Sequence, residues 1–365
     1  MPIKIDKIVA ALFWVSFIAT FVILFFTYYL YFSAQEQVIL AQSFQIGLDE
    51  LNEYSREFLD IRNYAKYALR INAFLCAISF LVSILLYFKH KQKKRLKPAS
   101  FVLLVGGGVF LFYHLEFTYL RLETVLDDKG VEIYYYGYQQ HHHAGYQRNP
   151  LFIASQAINY HKDYKKGDEQ NLDRFNNTID WLIENRTVDG EASYYLYDYE
   201  ILSYEMKPPW KSGLANSRVL LAFLEAHKAY DDEKYLEYAH SCVLPYTISV
   251  DDGGFLVKLS ENSNWYAEYP RTDGSTPMVL NGMMSIVLAL NEYQKYAPNE
   301  LAQELLRKGM TGLKEKLPEF DNKGGSYYDL KEREATKSYH LLHISLLNQL
   351  YEATGEELFL EYHDK

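Results

Sequence analysis

Val279-Leu280-Asn281-Gly282-Met283-Met284-Ser285-Ile286-Val287-Leu288 carries apolar residues at i, i+1, i+4, i+5, i+8 and i+9, the spacing that stripes one face of a helix. Leu220, Leu221 and Leu224 upstream behave in the same way, as do Leu346, Leu347, Leu350 and Tyr351 downstream. From Pro150 onward such helices come in pairs joined by tight connectors: Lys166-Gly167, Asp231-Asp232, Pro298-Asn299 and Thr354-Gly355. The connections between pairs are long, at about 187–211, 251–275 and 321–337, and carry Gly-Gly turns and alternating aromatics that predict short hairpins. In an array of antiparallel helix pairs the tight connectors fall at one end and the long loops at the other. The long loops therefore converge on one face, where sites on rigid scaffolds sit. The expected architecture is all-α dominated: an incomplete (α/α) toroid over residues 149–365 with β-hairpins in its long loops. A helical-repeat scaffold for a protein partner is the structural rival.

The first 120 residues read differently. Ile8 to Phe32 runs for 25 residues without a charge, enough to cross a hydrocarbon core of ~30 Å. Ile71 to Phe88 is a second uncharged run, and Ala99 to Leu115, with Gly106-Gly107-Gly108 and His114, a third. We expect three transmembrane helices, at about 8–32, 71–88 and 99–117, and a linker over 121–148. Lys89, Lys91, Lys93, Lys94, Arg95 and Lys97 lie between the last two runs, and such a basic loop is cytoplasmic. Everything after Phe117 then falls outside, so a multi-pass membrane protein with an extracytoplasmic domain is expected, in contact with membrane lipid.

Composition narrows the function. A formal charge of −10 and a pI near 5.6 argue against a nucleic-acid partner, since phosphate binding needs Lys and Arg. Two cysteines, Cys76 and Cys242, are too few for a disulfide framework. No nucleotide-binding Gly-rich loop, zinc helix or Gly-x-Ser-x-Gly elbow appears. His141-His142-His143 reads as a polar linker in preference to a metal site, because three adjacent histidines cannot all face one ion on a regular element. No metal or cofactor is implied.

The long loops hold the informative motifs. The first contains Met206-Lys207-Pro208-Pro209-Trp210, the second Trp265-Tyr266-Ala267-Glu268-Tyr269-Pro270 followed by Val279-Leu280-Asn281-Gly282, and the third Tyr328-Asp329-Leu330 followed by Tyr339-His340-Leu341-Leu342-His343. In these elements, in this order, the chain from about Asn149 to its end resembles the C-terminal catalytic region of D-glucuronyl C5-epimerases, which convert glucuronate to iduronate in heparan-type polymers. The resemblance implies that Tyr269, Tyr328 and Tyr339 are active-site tyrosines and that Glu268 and Asn281 lie beside the substrate. It also implies a uronate-containing polysaccharide substrate and, on this ground alone, a homodimer. Family members commonly carry Arg directly after Tyr-Asp-Leu, where this chain has Lys331, and the β-rich domain of animal members has only 131–147 to occupy here.

Tyrosines suit the reaction. Inverting C5 removes a proton α to a carboxylate from one face of the sugar and returns one on the other. A tyrosine near its reference pKa of about 10 needs neighbouring positive charge to act as a base, whereas a neutral phenol is a competent acid toward a carbanion. Tyr328 and Tyr339 are the expected face-to-face couple, with Tyr269 and Glu268 assisting. Lys207, Arg271, Lys331 and Arg333 are candidate cations for the carboxylate, Trp210 and Asn281 candidate substrate contacts, and His340 either bonds a tyrosine or caps its helix. A polysaccharide lyase uses the same carbanion but expels the 4-linked sugar. A non-catalytic glycan-binding or scaffold membrane protein is the third reading.

Overall fold

The computed structural model describes residues 124–136, 138–139 and 142–363, with residues 52, 53, 55, 56, 60, 64 and 67. The three expected membrane spans lie outside the described residues, and among the described helices none is long and apolar enough to cross a membrane. The chain divides into two compact units, Met1–Thr124 with Tyr135–Tyr146, and Val125–Tyr134 with Gln147–Lys365. In the first, the Asn52 side chain brackets the Tyr146 backbone, its Nδ2 donating to the carbonyl at 3.0 Å and its Oδ1 accepting from the N–H. The segment read as a linker holds short strands: Tyr138–Gln139 pairs with His142–His143 in the first unit, and Val125–Leu126 pairs with Ile133 and Glu132 in the second.

The second unit is built from four helix hairpins: α1 (Pro150–Lys165) with α2 (Gln170–Glu184), α3 (Gly213–Tyr230) with α4 (Lys234–Val243), α5 (Leu280–Tyr296) with α6 (Glu300–Lys316), and α7 (Lys337–Thr354) with α8 (Glu357–His363). The first helix of each hairpin packs on the first helix of the next, so α1, α3, α5 and α7 form an inner row backed by α2, α4, α6 and α8. Each inner helix begins at a side-chain or backbone stop in the preceding loop. Asn149, Ser212 and Thr336 accept hydrogen bonds from the N–H groups of Phe152, Ala215 and Tyr339, satisfying donors that a helix start leaves unpaired. The apolar stripe of α5 is the centre of the core: Met283, Met284, Val287 and Leu290 are fully buried, as are Val219, Leu220 and Phe223 of α3. Fully burying such a side chain contributes about 1.5–3 kcal/mol.

The inner helices run parallel, and ion pairs near their C-termini fix their register. Glu225 of α3 is bonded by His161 and Lys165 of α1 at 2.8 and 2.9 Å, and Lys228 of α3 by Glu292 of α5 at 3.1 Å. At the opposite end the long loops fold into two-stranded ladders, Thr187–Asp189 with Ala192–Tyr194, Leu196–Tyr197 with Trp210–Lys211, Leu256–Lys258 with Asn264–Tyr266, and Tyr327–Asp329 with Arg333–Glu334. These ladders are the expected hairpins, and they lie over the N-termini of the inner helices.

Candidate active site

Glu268 follows the Asn264–Tyr266 strand and is carried inward between two helix starts. Its carbonyl accepts the N–H of Gly213, the first residue of α3, at 3.2 Å, while its side chain lies along the first turn of α5. Glycine is needed at both contacts: a Cβ at Gly213 would come within 2.2 Å of the Ala267 carbonyl oxygen, and one at Gly282 within 2.5 Å of Glu268 Oε2 and 2.9 Å of its Cβ. The carboxyl is buried, and Oε2 has no hydrogen-bond partner among the described residues. Burial pushes the Glu268 pKa up to about 7, partly offset by a hydrogen bond with Tyr269.

Tyr269 stands at the centre of the aromatic cluster. It stacks on Tyr204 at 4.6 Å and tilts against Trp210 at 5.9 Å. Burial, then the neighbouring Glu268 charge, raises its pKa well above that of an ordinary phenol. Tyr328 is the extra residue of a β-bulge: Tyr327 pairs with Glu334 and Asp329 with Arg333, two steps on one strand against one on the other. A bulge re-aims a side chain. Here it turns Tyr328 into contact with Tyr269 and Tyr339, and burial, followed by the Glu268 charge, raises the Tyr328 pKa as well. Tyr339 occupies the first turn of α7, where the Thr336 cap holds its backbone, and it is 39% exposed to solvent.

The rings of Tyr328 and Tyr339 meet edge to face with centroids 4.7 Å apart. No sugar ring fits between rings in that contact, so the two do not form opposite walls around a substrate in this arrangement. One hydroxyl ties their supports together. Ser326 Oγ lies 3.1 Å from His340 Nδ1 and 2.8 Å from His343 Nδ1, joining the strand before Tyr328 to the helix turn after Tyr339. Burial lowers the His343 pKa to about 4, and its buried Nε2 has no partner among the described residues. A bare lone pair is easier to leave unpaired than an N–H. His343 therefore donates from Nδ1 to Ser326, and Ser326 donates to His340.

The other expected site residues divide. Asn281 is buried in the first turn of α5 with its Oδ1 unpartnered among the described residues. Trp210 is a wall: its ring stacks on Tyr197 at 4.0 Å and its indole N–H donates to the Tyr199 carbonyl at 2.7 Å. Arg271 is committed elsewhere, to Asp273 and the Tyr204 carbonyl at 2.5 Å each, and braces the loop beside the cluster. Arg333 covers the Tyr204 ring at 4.4 Å, donates to the Ser203 carbonyl and sits 3.7 Å from Asp329. Lys207 and Lys331 are exposed. His340 bonds Ser326 and does not cap α7, a role that Thr336 fills.

Sequence reasoning missed Tyr204 and the role of Asp329. The Tyr204 hydroxyl donates to the fully buried Asp329 Oδ2 at 2.6 Å, and Asp329 Oδ1 accepts the Lys331 N–H at 3.0 Å. Asp329 also pairs with Val279 across an isolated bridge, which fastens the third loop to the start of α5. Tyr204 lies in a one-turn helix 125 residues away from Asp329, with no local pattern to single it out among 34 tyrosines.

Comparison with known proteins places this cluster. The family model described as D-glucuronyl C5-epimerase C-terminus matches residues 189–365, which include every one of these loop motifs. The match is to carbohydrate epimerases, isomerases by class. Residues 189–365 are thus similar to the C-terminal region of D-glucuronyl C5-epimerases. A D-glucuronyl C5-epimerase of Caenorhabditis elegans is 29% identical over 218 residues, covering 54% of this chain and 35% of that protein. An uncharacterized protein of Methanocaldococcus jannaschii is 28% identical over 258 residues, 66% of this chain and 83% of its own length. Among solved structures, a cellobiose 2-epimerase from Bacillus thermoamylovorans superposes with a TM-score of 0.49 at 11% identity, covering 72% of this chain and 69% of that one.

Proposed function

We propose that the protein inverts C5 of D-glucuronate residues within a polysaccharide, using Glu268 with Tyr269 on one face of the sugar and Tyr339 on the other. The observation that carries this reading is the buried Glu268 carboxyl, poised at about 7 and hydrogen-bonded to Tyr269. A base with a pKa near the working pH is the effective one. As the C5 proton passes to the Tyr269 oxygen, the Tyr269 hydroxyl proton passes to Glu268. The electron pair left behind delocalises into the sugar carboxylate. Tyr339 then donates its hydroxyl proton to C5 from the opposite face, yielding L-iduronate, and its open position lets it recover a proton from solvent or through Tyr328. Tyr328 bridges the two sides, in hydrogen-bond reach of Tyr269 and in ring contact with Tyr339.

We read the row of helix hairpins as an open (α/α) toroid, and residues 1–120 as three transmembrane helices that hold it on the extracytoplasmic face, because the basic loop at 89–97 is retained inside. The deciding measurement is solvent deuterium incorporation at C5 of unsulfated heparosan and related glucuronans, followed by NMR with Tyr339→Phe as control. Exchange with new iduronate signals, lost in the variant, is the expected result. Ultraviolet absorbance from an unsaturated uronate without exchange would instead make the enzyme a lyase.

A further inference from the structure

The inner face of α3 is a stripe of residues 214, 218, 221, 225 and 228, spaced by four and three so that they lie above one another. Its C-terminal half is electrostatically closed, Glu225 with His161 and Lys165, Lys228 with Glu292. Arg218 is different. It is half-buried, yet it makes no ion pair and no hydrogen bond with any described residue, and burial lowers its pKa with no carboxylate to offset it. Four other arginines of this unit have acids: Arg148 has Asp127, Arg271 Asp273, Arg307 Glu304 and Arg333 Asp329; of the rest, Arg174 bonds Asn171 and lies over the Tyr160 ring, and Arg186 lies over the Tyr238 ring with its Nη1 unpartnered among the described residues. A guanidinium is retained unpaired in a sheltered place only at a free-energy cost.

Its height along the fold is fixed from both ends. Gly213, five residues earlier, bonds the Glu268 carbonyl, so Arg218 lies about 7.5 Å down the helix axis from that contact. Long side chains on a helix lean toward its N-terminus, here the end at which Gly213 meets the Glu268 carbonyl. From the other end, Lys228 faces Glu292, and ten residues back along each parallel helix Arg218 comes level with Gly282, the glycine against which Glu268 lies. Arg218 in the second turn of α3, Asn281 Oδ1 in the first turn of α5 and Glu268 Oε2 in the loop before α5 thus lie toward the same end of the inner row, each without a hydrogen-bond partner among the described residues.

We propose that Arg218 is an anion-binding residue of the active site that grips the carboxylate of the sugar undergoing inversion. The inference rests on the C5-inversion reading for the identity of the sugar. A planar guanidinium matches a carboxylate with two parallel N–H···O bonds, and it keeps that match as the carboxylate takes up negative charge. Asn281 Oδ1 and Glu268 Oε2, both acceptors, suit the hydroxyls of the same sugar. This also supplies the cation that Arg271 and Arg333, bound to their own carboxylates, and the exposed Lys207 and Lys331 do not.

The test compares binding of a glucuronate oligosaccharide and its carboxyl-reduced, neutral counterpart by calorimetry, using the full chain and its Arg218→Met and Arg218→Lys variants. The wild type should prefer the carboxylate form at least tenfold. Arg218→Met should bind both forms alike, and Arg218→Lys should keep a weaker preference, with thermal unfolding checking that each variant folds. If either folded variant keeps the full wild-type preference, or the wild type shows none, the proposal is overturned. Carboxylate preference that depends on Arg218 in a protein showing no C5 exchange would uphold the site and remove the epimerisation reading.

Discussion

Replacing Glu268 with Gln should make the protein more stable at alkaline pH while removing its activity. In the folded chain burial moves this carboxyl from its ordinary 4.5 to about 7, equivalent to about 3 kcal/mol against the ionised form. A raised folded-state pKa means that stability is fully present below pH 4.5 and is lost as pH rises through 7. Glutamine keeps the shape and cannot ionise, so it escapes that loss. Its amide brings a buried N–H to the place of Oε2, which has no partner among the described residues, at a pH-independent cost of about 1 kcal/mol. The variant should therefore be slightly less stable than wild type near pH 4.5 and about 2 kcal/mol more stable at pH 8. The assay is thermal unfolding of both full chains at the two pH values, where the 3 kcal/mol swing corresponds to roughly 6 °C or more in relative midpoint. Loss of a general base should lower the C5 exchange rate by about 10²–10⁴. A variant destabilised by the same amount at both pH values would refute the claim that Glu268 is a buried, strained carboxylate.

Gly282→Ala places a Cβ 2.9 Å from the Glu268 Cβ, which cannot swing away as a side-chain tip could. Overpacking of about 1–3 kcal/mol should outweigh the roughly 1 kcal/mol gained in helix propensity, and urea unfolding should show a net loss accompanied by a drop in kcat. Tyr204→Phe leaves the buried Asp329 without its 2.6 Å donor, so stability should fall by about 1.5–3 kcal/mol, and a midpoint unchanged in urea would show that Asp329 is otherwise satisfied. Ser326→Ala strips both imidazoles of their shared partner. It should loosen Tyr339, seen as a fall in kcat larger than any change in KM, with Ser326→Thr restoring part of the rate.

Much of the hairpin frame was legible because its signals are local. The connectors at Lys166-Gly167, Asp231-Asp232, Pro298-Asn299 and Thr354-Gly355 each fall between the paired helices, and the Gly-Gly loops fold back as ladders. The motif residues Glu268, Tyr269, Tyr328 and Tyr339 do meet, since the topology brings every long loop to the same end of the inner row. Their mutual arrangement was not legible. Tyr328 owes its direction to a bulge set by pairing with Arg333 and Glu334, and a period-two reading of the strand cannot anticipate an unpaired residue.

Charge shows the same boundary. Arg271, Arg333 and Arg218 are equivalent as letters, yet Asp273 and Asp329 occupy the first two, while Arg218 lies on a stripe whose one acidic member, Glu225, is already taken by His161, Lys165 and Lys228. The sequence by itself determined the helix pairs, the convergence of their long loops and the set of residues carried there, because periodicity, capping and turn chemistry act over a few neighbours. Only the tertiary structure decided which phenol touches which, that Glu268 is buried against Gly282 and holds its proton to about 7, and which cations have carboxylate partners. Burial and charge pairing depend on partners far away in the chain, and no local pattern records them.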